Sequence, residues 1–177
     1  MTQKVFANSL LALALATGIG ASAHAADIKL GVAEALSGGA AQYGISIRNG
    51  FQLAADEIKA AGGVNGDKLQ LVIEDEQGKK AEAINGFQML IFPDKVLLVV
   101  GPTLSNSAQA ADPVAQAAKT VAFGTSNTAD GITSIGNYVF RNSVTEADVL
   151  PETLRVAIKH AHIKKVAVMY GNDDVFT

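Results

Sequence analysis

The sequence predicts an α/β fold with a parallel sheet flanked by helices. Strand-like and helix-like segments alternate along almost the whole chain, the pattern that right-handed strand–helix–strand crossovers require. One segment, Val96-Leu97-Leu98-Val99-Val100, is a continuous β-prone run, as expected of a strand covered by helices on both faces. Loops of small, polar residues follow three of the strand candidates at equivalent places.

Taken in order, Ile28 to Ala33 is a short apolar run and reads as the first strand. Ile47, Phe51, Ala54, Ala55 and Ile58 then recur at helical spacing, and Gly62-Gly63 supplies a C-terminal cap. Leu69 to Ile73 alternates as a second strand, and Ile84, Phe87 and Leu90/Ile91 form the apolar stripe of a second helix. After the third strand at Val96 to Val100, Ser105 or Asn106 is placed to cap a short helix. That helix is expected to end near Asp112, because Pro113 lacks the N–H an interior turn needs. Thr120 to Phe123 reads as a fourth strand and Tyr138 to Arg141 as a fifth. An amphipathic helix over Val149 to His162 and a last strand over Lys165 to Tyr170 complete the pattern.

The first 25 residues have a different character. A short polar start with Lys4 precedes an apolar stretch from Leu10 to Ala21, followed by Ala23-His24-Ala25. This is the layout of a secretory signal with cleavage after Ala25. The stretch is shorter than the roughly 20 residues a bilayer core requires. The expected division is therefore a signal over 1–25, an N-terminal α/β lobe over 26–145, and the beginning of a second lobe over 146–177. Asn142 to Thr145 is the expected crossing between lobes. Residues 170–177 read as a strand end and a loop about to open a helix, so the second lobe is expected to be unfinished.

The chain carries 14 basic and 17 acidic residues and no cysteine. A mildly acidic chain has no electrostatic footprint for nucleic acid. Without cysteine there is no disulfide, no thiolate metal site and no lipid-bearing residue after the signal.

Ligands of open parallel sheets sit at the carboxyl ends of the strands. The loops there are Ser37 to Gly44, Gly101 to Ser107 and Gly124 to Gly131, all rich in hydroxyl and amide side chains. All three are expected to open toward helix N-termini, where backbone N–H groups favour an anion such as a carboxylate. Hydroxyls of Ser105 and Thr128 are candidate donors to it. Singly, such residues are ordinary turn formers; three such loops at one sheet end point to a binding crevice. No dinucleotide or P-loop glycine pattern and no nucleophile elbow occurs. His160 and His162 stand at a helix end, where a cation is favourable. The acidic groups Asp56-Glu57 and Glu74-Asp75-Glu76 read as a solvated helix face and a solvated strand edge. No catalytic set and no metal or cofactor site emerges.

With these loops in place, the chain resembles the leucine/isoleucine/valine-binding protein family, the branched-chain amino-acid receptors of ABC importers. The resemblance runs from Asp27 to Thr177. It rests on Ala35-Leu36-Ser37-Gly38 with Gln42-Tyr43-Gly44, on Ala61 to Gly66, on Val99-Val100-Gly101-Pro102, on Ser126-Asn127-Thr128 and on Val139-Phe140-Arg141. It implies a type I periplasmic-binding-protein-like fold: two hinged lobes that close on a small amino acid, in the periplasm, as a monomer that serves a membrane permease. By the resemblance, Tyr43 lines the side-chain pocket. Ser105, with Thr103 and Leu104 before it on the same loop, holds the ligand carboxylate. Ser126, through its carbonyl, and Thr128 bind the ammonium and carboxylate. Asn127 stands where the family often has alanine. Phe176 stands where the family often has a second-lobe aromatic, and the carboxylate that pairs with the amino group is placed beyond Thr177. Relatives of this kind also bind amides, urea and aromatic acids, and the same fold serves as the sensing domain of receptors.

Overall fold

The computed structural model describes residues 27–169. The signal segment over 1–25, Tyr170 and Phe176 lie outside the described residues. Five strands form one sheet in the order β2-β1-β3-β4-β5: β1 (Asp27–Glu34), β2 (Lys68–Asp75), β3 (Leu98–Val100), β4 (Val121–Gly124) and β5 (Val139–Arg141). Every pairing is parallel. Four helices accompany them: α1 (Ala41–Ala60), α2 (Lys80–Ile91), α3 (Ser105–Ala118) and α4 (Glu146–Ala161). A single 3-10 turn at Ile132–Ser134 precedes β5. Among the described residues no helix is long and apolar enough to cross a membrane.

The strand order dictates the layers. From β1 the chain moves one way to β2, then returns across β1 to β3 and continues to β4. With right-handed crossovers this places α1 on one face and α2 and α3 on the other. The second face holds the main core: Ala33, Val99 and Ala122 from the strands meet Phe87 and Leu90 from α2 and Ala111 and Ala115 from α3. Gly31 belongs to the same face; a Cβ there would stand 3.0 Å from the Leu90 side chain.

Local chemistry explains the element ends. Helix α1 closes in a Schellman motif: Gly63 N donates to Ile58 O at 2.9 Å and Gly62 N to Lys59 O at 3.1 Å, with both glycines at positive φ. Val64 and Asp67 then exchange two backbone bonds of 2.9 Å around Asn65-Gly66, both at positive φ, as a tight Asn-Gly hairpin turn demands.

Three sequence expectations are corrected. Helix α3 does not end at Asp112 but runs through Pro113 to Ala118. The carbonyl that Pro113 cannot serve is that of Gln109; both residues are exposed, so water can take its place and the ring points away from the core. The α3 N-cap is Leu104 rather than Ser105 or Asn106, with no side-chain cap bond. The strand expected over 165–170 is not formed in its described part: residues 162–169 are irregular and exposed. A strand needs a partner for its ladder, and none of the five strands pairs with this segment among the described residues. Helix α4 is also without a buried residue.

Candidate ligand-binding site

The strand order reverses between β1 and β3, and the loops that leave their carboxyl ends define a crevice. Two glycines let the backbones close there. A Cβ on Gly44 would lie 2.1 Å from Ala35 O, so α1 seats directly against the end of β1. A Cβ on Gly101 would lie 2.0 Å from Ala33 O, and its φ of 111° is one that side chains rarely adopt.

Six of the eight residues singled out from the sequence line one cavity of about 220 Å³: Tyr43, Thr103, Leu104, Ser105, Ser126 and Thr128. Glu146, from the start of α4, joins them. Asn127 is not on this lining. It is buried, its Nδ2 donates to Pro102 O at 3.1 Å, and its amide folds back over Gly124. Its role in the structure is to brace two loops. Phe176 lies outside the described residues.

The hydroxyls divide between bracing and binding. Ser105 Oγ is fully buried and accepts from Thr128 N at 3.1 Å and Ala129 N at 3.2 Å. Both lone pairs are then engaged, and the group left to the hydroxyl is its O–H donor. Ser126 Oγ donates to Thr103 O at 2.7 Å, and Ser143 Oγ donates to Asn127 O at 2.5 Å. Arg141 Nη1 donates to Ala129 O at 2.6 Å. These bonds tie the loop after β4 to the loop after β3 and to the segment leading into α4. The expectation that all three loops open toward helix N-termini is corrected for one of them: the loops after β1 and β3 open into α1 and α3, whereas the loop after β4 leads into the short 3-10 turn and then β5. Tyr43 is 67% exposed and stands at the mouth of the cavity.

Behind the cavity lies a feature the sequence reading missed. Glu34, the last residue of β1, is fully buried. Its carboxylate accepts from the Thr103 hydroxyl and from Thr125 Oγ1 at 3.0 Å, while Thr103 Oγ1 itself accepts from Ala35 N at 2.9 Å. Burial pushes the Glu34 carboxyl up to about 7; the two threonine bonds oppose this and the charge of Glu76 adds to it. Glu76 is also fully buried, accepts from Ser107 Oγ at 2.8 Å, and is raised chiefly by burial. Asp112 on α3 is pushed up to about 7 by burial, with an Oδ1 that accepts no hydrogen bond among the described residues.

The expectation of a solvated edge at Glu74-Asp75-Glu76 is thus corrected. Asp75 Oδ1 accepts from the backbone N–H of Leu36 at 2.8 Å, of Gln77 at 2.9 Å and of Ser37 at 3.2 Å, and Oδ2 from the Ser37 hydroxyl at 2.6 Å. Partial burial works to raise its pKa, but these four bonds together hold it below the ordinary carboxylate value. The signal that could have found Glu34 is its place in the strand. It shares a face with Leu30 and Val32 at the carboxyl end of an apolar run, where a charge is costly unless the fold uses it.

A wider hollow of about 550 Å³ lies at the opposite end of the sheet, between Asp27, Lys59, Lys68 and the Gly62–Gly66 turn. It lacks convergent buried donors, and the smaller cavity is the chemically organised one. Among the described residues no cluster of His, Cys, Asp or Glu could hold a metal ion.

A family model described as periplasmic binding protein matches residues 27–177. The chain belongs to the periplasmic binding protein family. Its sheet and helices match one lobe of the type I fold, as the sequence resemblance implied, and the family is one of binding proteins rather than enzymes. An amino acid binding protein of Pseudomonas aeruginosa is 33% identical over 98% of this chain and 47% of its own length. A Leu/Ile/Val-binding protein of Citrobacter freundii is 30% identical over 92% of this chain and 44% of its own. The chain thus spans a little under half the length of these curated relatives. Among solved structures, the branched-chain amino acid transporter substrate binding protein LivJ of Streptococcus pneumoniae, in complex with isoleucine, is 37% identical with a TM-score of 0.66, covering 67% of this chain and 34% of its own. A solute binding protein of an ABC transporter of Rhodopseudomonas palustris BisB5, in complex with 3,4-dihydroxybenzoic acid, is 29% identical with a TM-score of 0.69, covering 75% of this chain and 36% of its own.

Proposed function

We propose that this chain supplies one wall of a periplasmic solute trap that captures a small amino acid, aliphatic or branched-chain, and delivers it to the permease of an ABC importer. The observation that carries the reading is Ser105. Its hydroxyl stands at the N-terminal end of α3 and has its lone pairs held by Thr128 N and Ala129 N. Such a hydroxyl, beside a helix N-terminus, is a pre-aimed donor for a carboxylate. Leu104 and Tyr43 supply apolar surface on the same lining. The ligands bound in two of the similar structures, isoleucine and a dihydroxylated benzoic acid, share a carboxylate and differ in the remainder.

Aromatic acids form the second reading, favoured by the exposed Tyr43 ring at the cavity mouth, on which another ring could stack. Calorimetric titration of the full chain with leucine, isoleucine, valine and 3,4-dihydroxybenzoate separates the two. Heat with the aliphatic amino acids is the expected result. Heat with the benzoate alone would transfer the assignment to aromatic acids, and no heat with any of them would overturn the trap itself.

A further inference from the structure

Behind the cavity stands an acid that capture of a carboxylate leaves without a role. Glu34 is fully buried at the carboxyl end of β1. Its two oxygens are bonded to separate loops. Oε2 accepts from the hydroxyl of Thr103, a residue of the cavity lining, and Oε1 accepts from Thr125 Oγ1 at 3.0 Å. Thr125 borders an adjoining hollow of about 390 Å³, which shares Tyr43 and Ser126 with the cavity. The backbone after β3 is close as well: a Cβ on Gly101 would stand 3.4 Å from Glu34 Oε1.

Few charges surround this carboxyl. The end of β2 brings Asp75, whose oxygens are taken up by Leu36, Ser37 and Gln77, and next to it Glu76, whose negative charge acts on Glu34. Strands β3 and β4 carry no titratable residue. Arg141 on β5 is directed at Ala129 O. Helix α1 carries Tyr43 and Arg48 near its start, α2 carries Lys80 and Glu82 in its first turn, and α3 carries Asp112. Among the described residues no cation bonds to Glu34; its partners are the two threonines.

The two protonation states of Glu34 differ in what they offer an anion. Ionised, it can only accept. It then engages the hydroxyl protons of both Thr103 and Thr125, and its negative charge lies one hydrogen bond from the cavity lining. Protonated, it has an O–H of its own to donate, so one threonine turns from donor to acceptor and its own O–H is released. The negative charge is gone as well. A carboxylate ligand gains on both counts, by weaker repulsion and by one more free donor on the loops around it. We infer that Glu34 is a positioning residue that couples capture of a carboxylate ligand to a proton, the ligand being held more tightly when this buried carboxyl is neutral. Burial holds the carboxyl at about 7, so both states are populated near neutral pH. Linkage is reciprocal: the ligand favours the proton as much as the proton favours the ligand. Affinity is therefore highest at low pH, falls as pH rises through about 7, and levels off above it.

This inference rests on reading the cavity as a carboxylate site, and its test separates the two. The full chain, as wild type and as Glu34→Gln, would be titrated calorimetrically with leucine and with 3,4-dihydroxybenzoate. Between about pH 6 and about pH 8, wild type should lose about 5-fold or more in affinity for the ligand it binds. Glu34→Gln, permanently neutral, should bind throughout about as tightly as wild type does at the low end of that range. The ligand's own titration and that of Asp112 are common to both proteins and cancel. The same pH dependence in both proteins would overturn the coupling and leave the trap standing. So would a variant weakened at every pH with its profile unflattened, the mark of a mere brace. Wild type alone gives a second readout: titration at about pH 7 in buffers of different ionisation enthalpy should show net proton uptake with the ligand. Asp112→Asn, which changes no residue of the lining, should keep that uptake. Its absence in wild type, or its loss in Asp112→Asn, would overturn the assignment to Glu34. No heat with either ligand at any pH would overturn the trap and the coupling with it.

Discussion

Replacing Glu34 with glutamine should remove a pH-dependent weakness at the junction of β1 and β3. The folded chain holds this carboxyl at about 7 against an ordinary 4.5, so between those values the folded state keeps a proton that the unfolded state has released. Stability is therefore fully present below pH 4.5, falls as pH rises, and is lost above pH 7. At about 1.4 kcal/mol per pH unit, the loss amounts to about 3 kcal/mol. Glutamine keeps the polar contacts. Its amide oxygen can accept from one threonine hydroxyl and its amide group can donate to the other, because a hydroxyl is both donor and acceptor. Urea unfolding of the full chain without ligand, followed by circular dichroism at several pH values, reads the effect. The variant and wild type should be about equally stable near pH 4.5, and the variant should be the more stable one by about 3 kcal/mol near pH 8. Asp112 titrates in the same range but is present in both proteins and cancels in the difference. A stability difference that does not change with pH would refute the assignment of the buried charge to Glu34.

Two further substitutions address the loops. Ser105→Ala removes the donor aimed at the ligand and strands the N–H groups of Thr128 and Ala129; titration with leucine should show about a 10- to 100-fold loss, and unchanged affinity would take Ser105 out of the site. Asp75→Ala frees the N–H groups of Leu36, Ser37 and Gln77 and should cost about 1–2 kcal/mol in urea unfolding. Because Asp75 is held below its ordinary 3.8, its contribution is present above that pH and fades as pH falls below it, so the variant should lose less stability on acidification than wild type.

The elements that sequence patterning located are those whose burial is dictated by periodicity. Phe87, Leu90 and Ile91 could only be the inner face of a helix, and all three are buried. Gly62-Gly63 could stop α1 because the Schellman motif needs positive φ at the residue after the C-cap, here Gly62. Pro113 misled because the rule against proline concerns a lost bond and a ring clash, and both are tolerable on a solvent-facing side of a helix. Whether position 113 faces solvent depends on Ala108, Ala111 and Ala115 packing inward, which is tertiary information. The acidic run at 74–76 misled for a related reason. Charge density on its own reads as solvent, yet Asp75 and Glu76 end a strand at the crowded meeting of three loops. There the backbone N–H groups of the loop after β1 bond Asp75, and the hydroxyl of Ser107 bonds one oxygen of Glu76.

Hydroxyl-rich loops pointed to a ligand, and the structure assigns most of those hydroxyls to other work. Thr103 and Thr125 serve Glu34, Ser126 serves Thr103 O, Ser143 serves Asn127 O, and Ser37 serves Asp75. Each of these bonds fixes one loop relative to another before any ligand arrives, which lowers the ordering cost of binding. The polar groups left to face the cavity are then few, and the loops that carry them are tied to one another. In the proposed function this is how a cavity lined by so many polar residues would still discriminate between ligands. In the proposed trap the Ser105 O–H is the donor left over once its lone pairs are held by Thr128 N and Ala129 N.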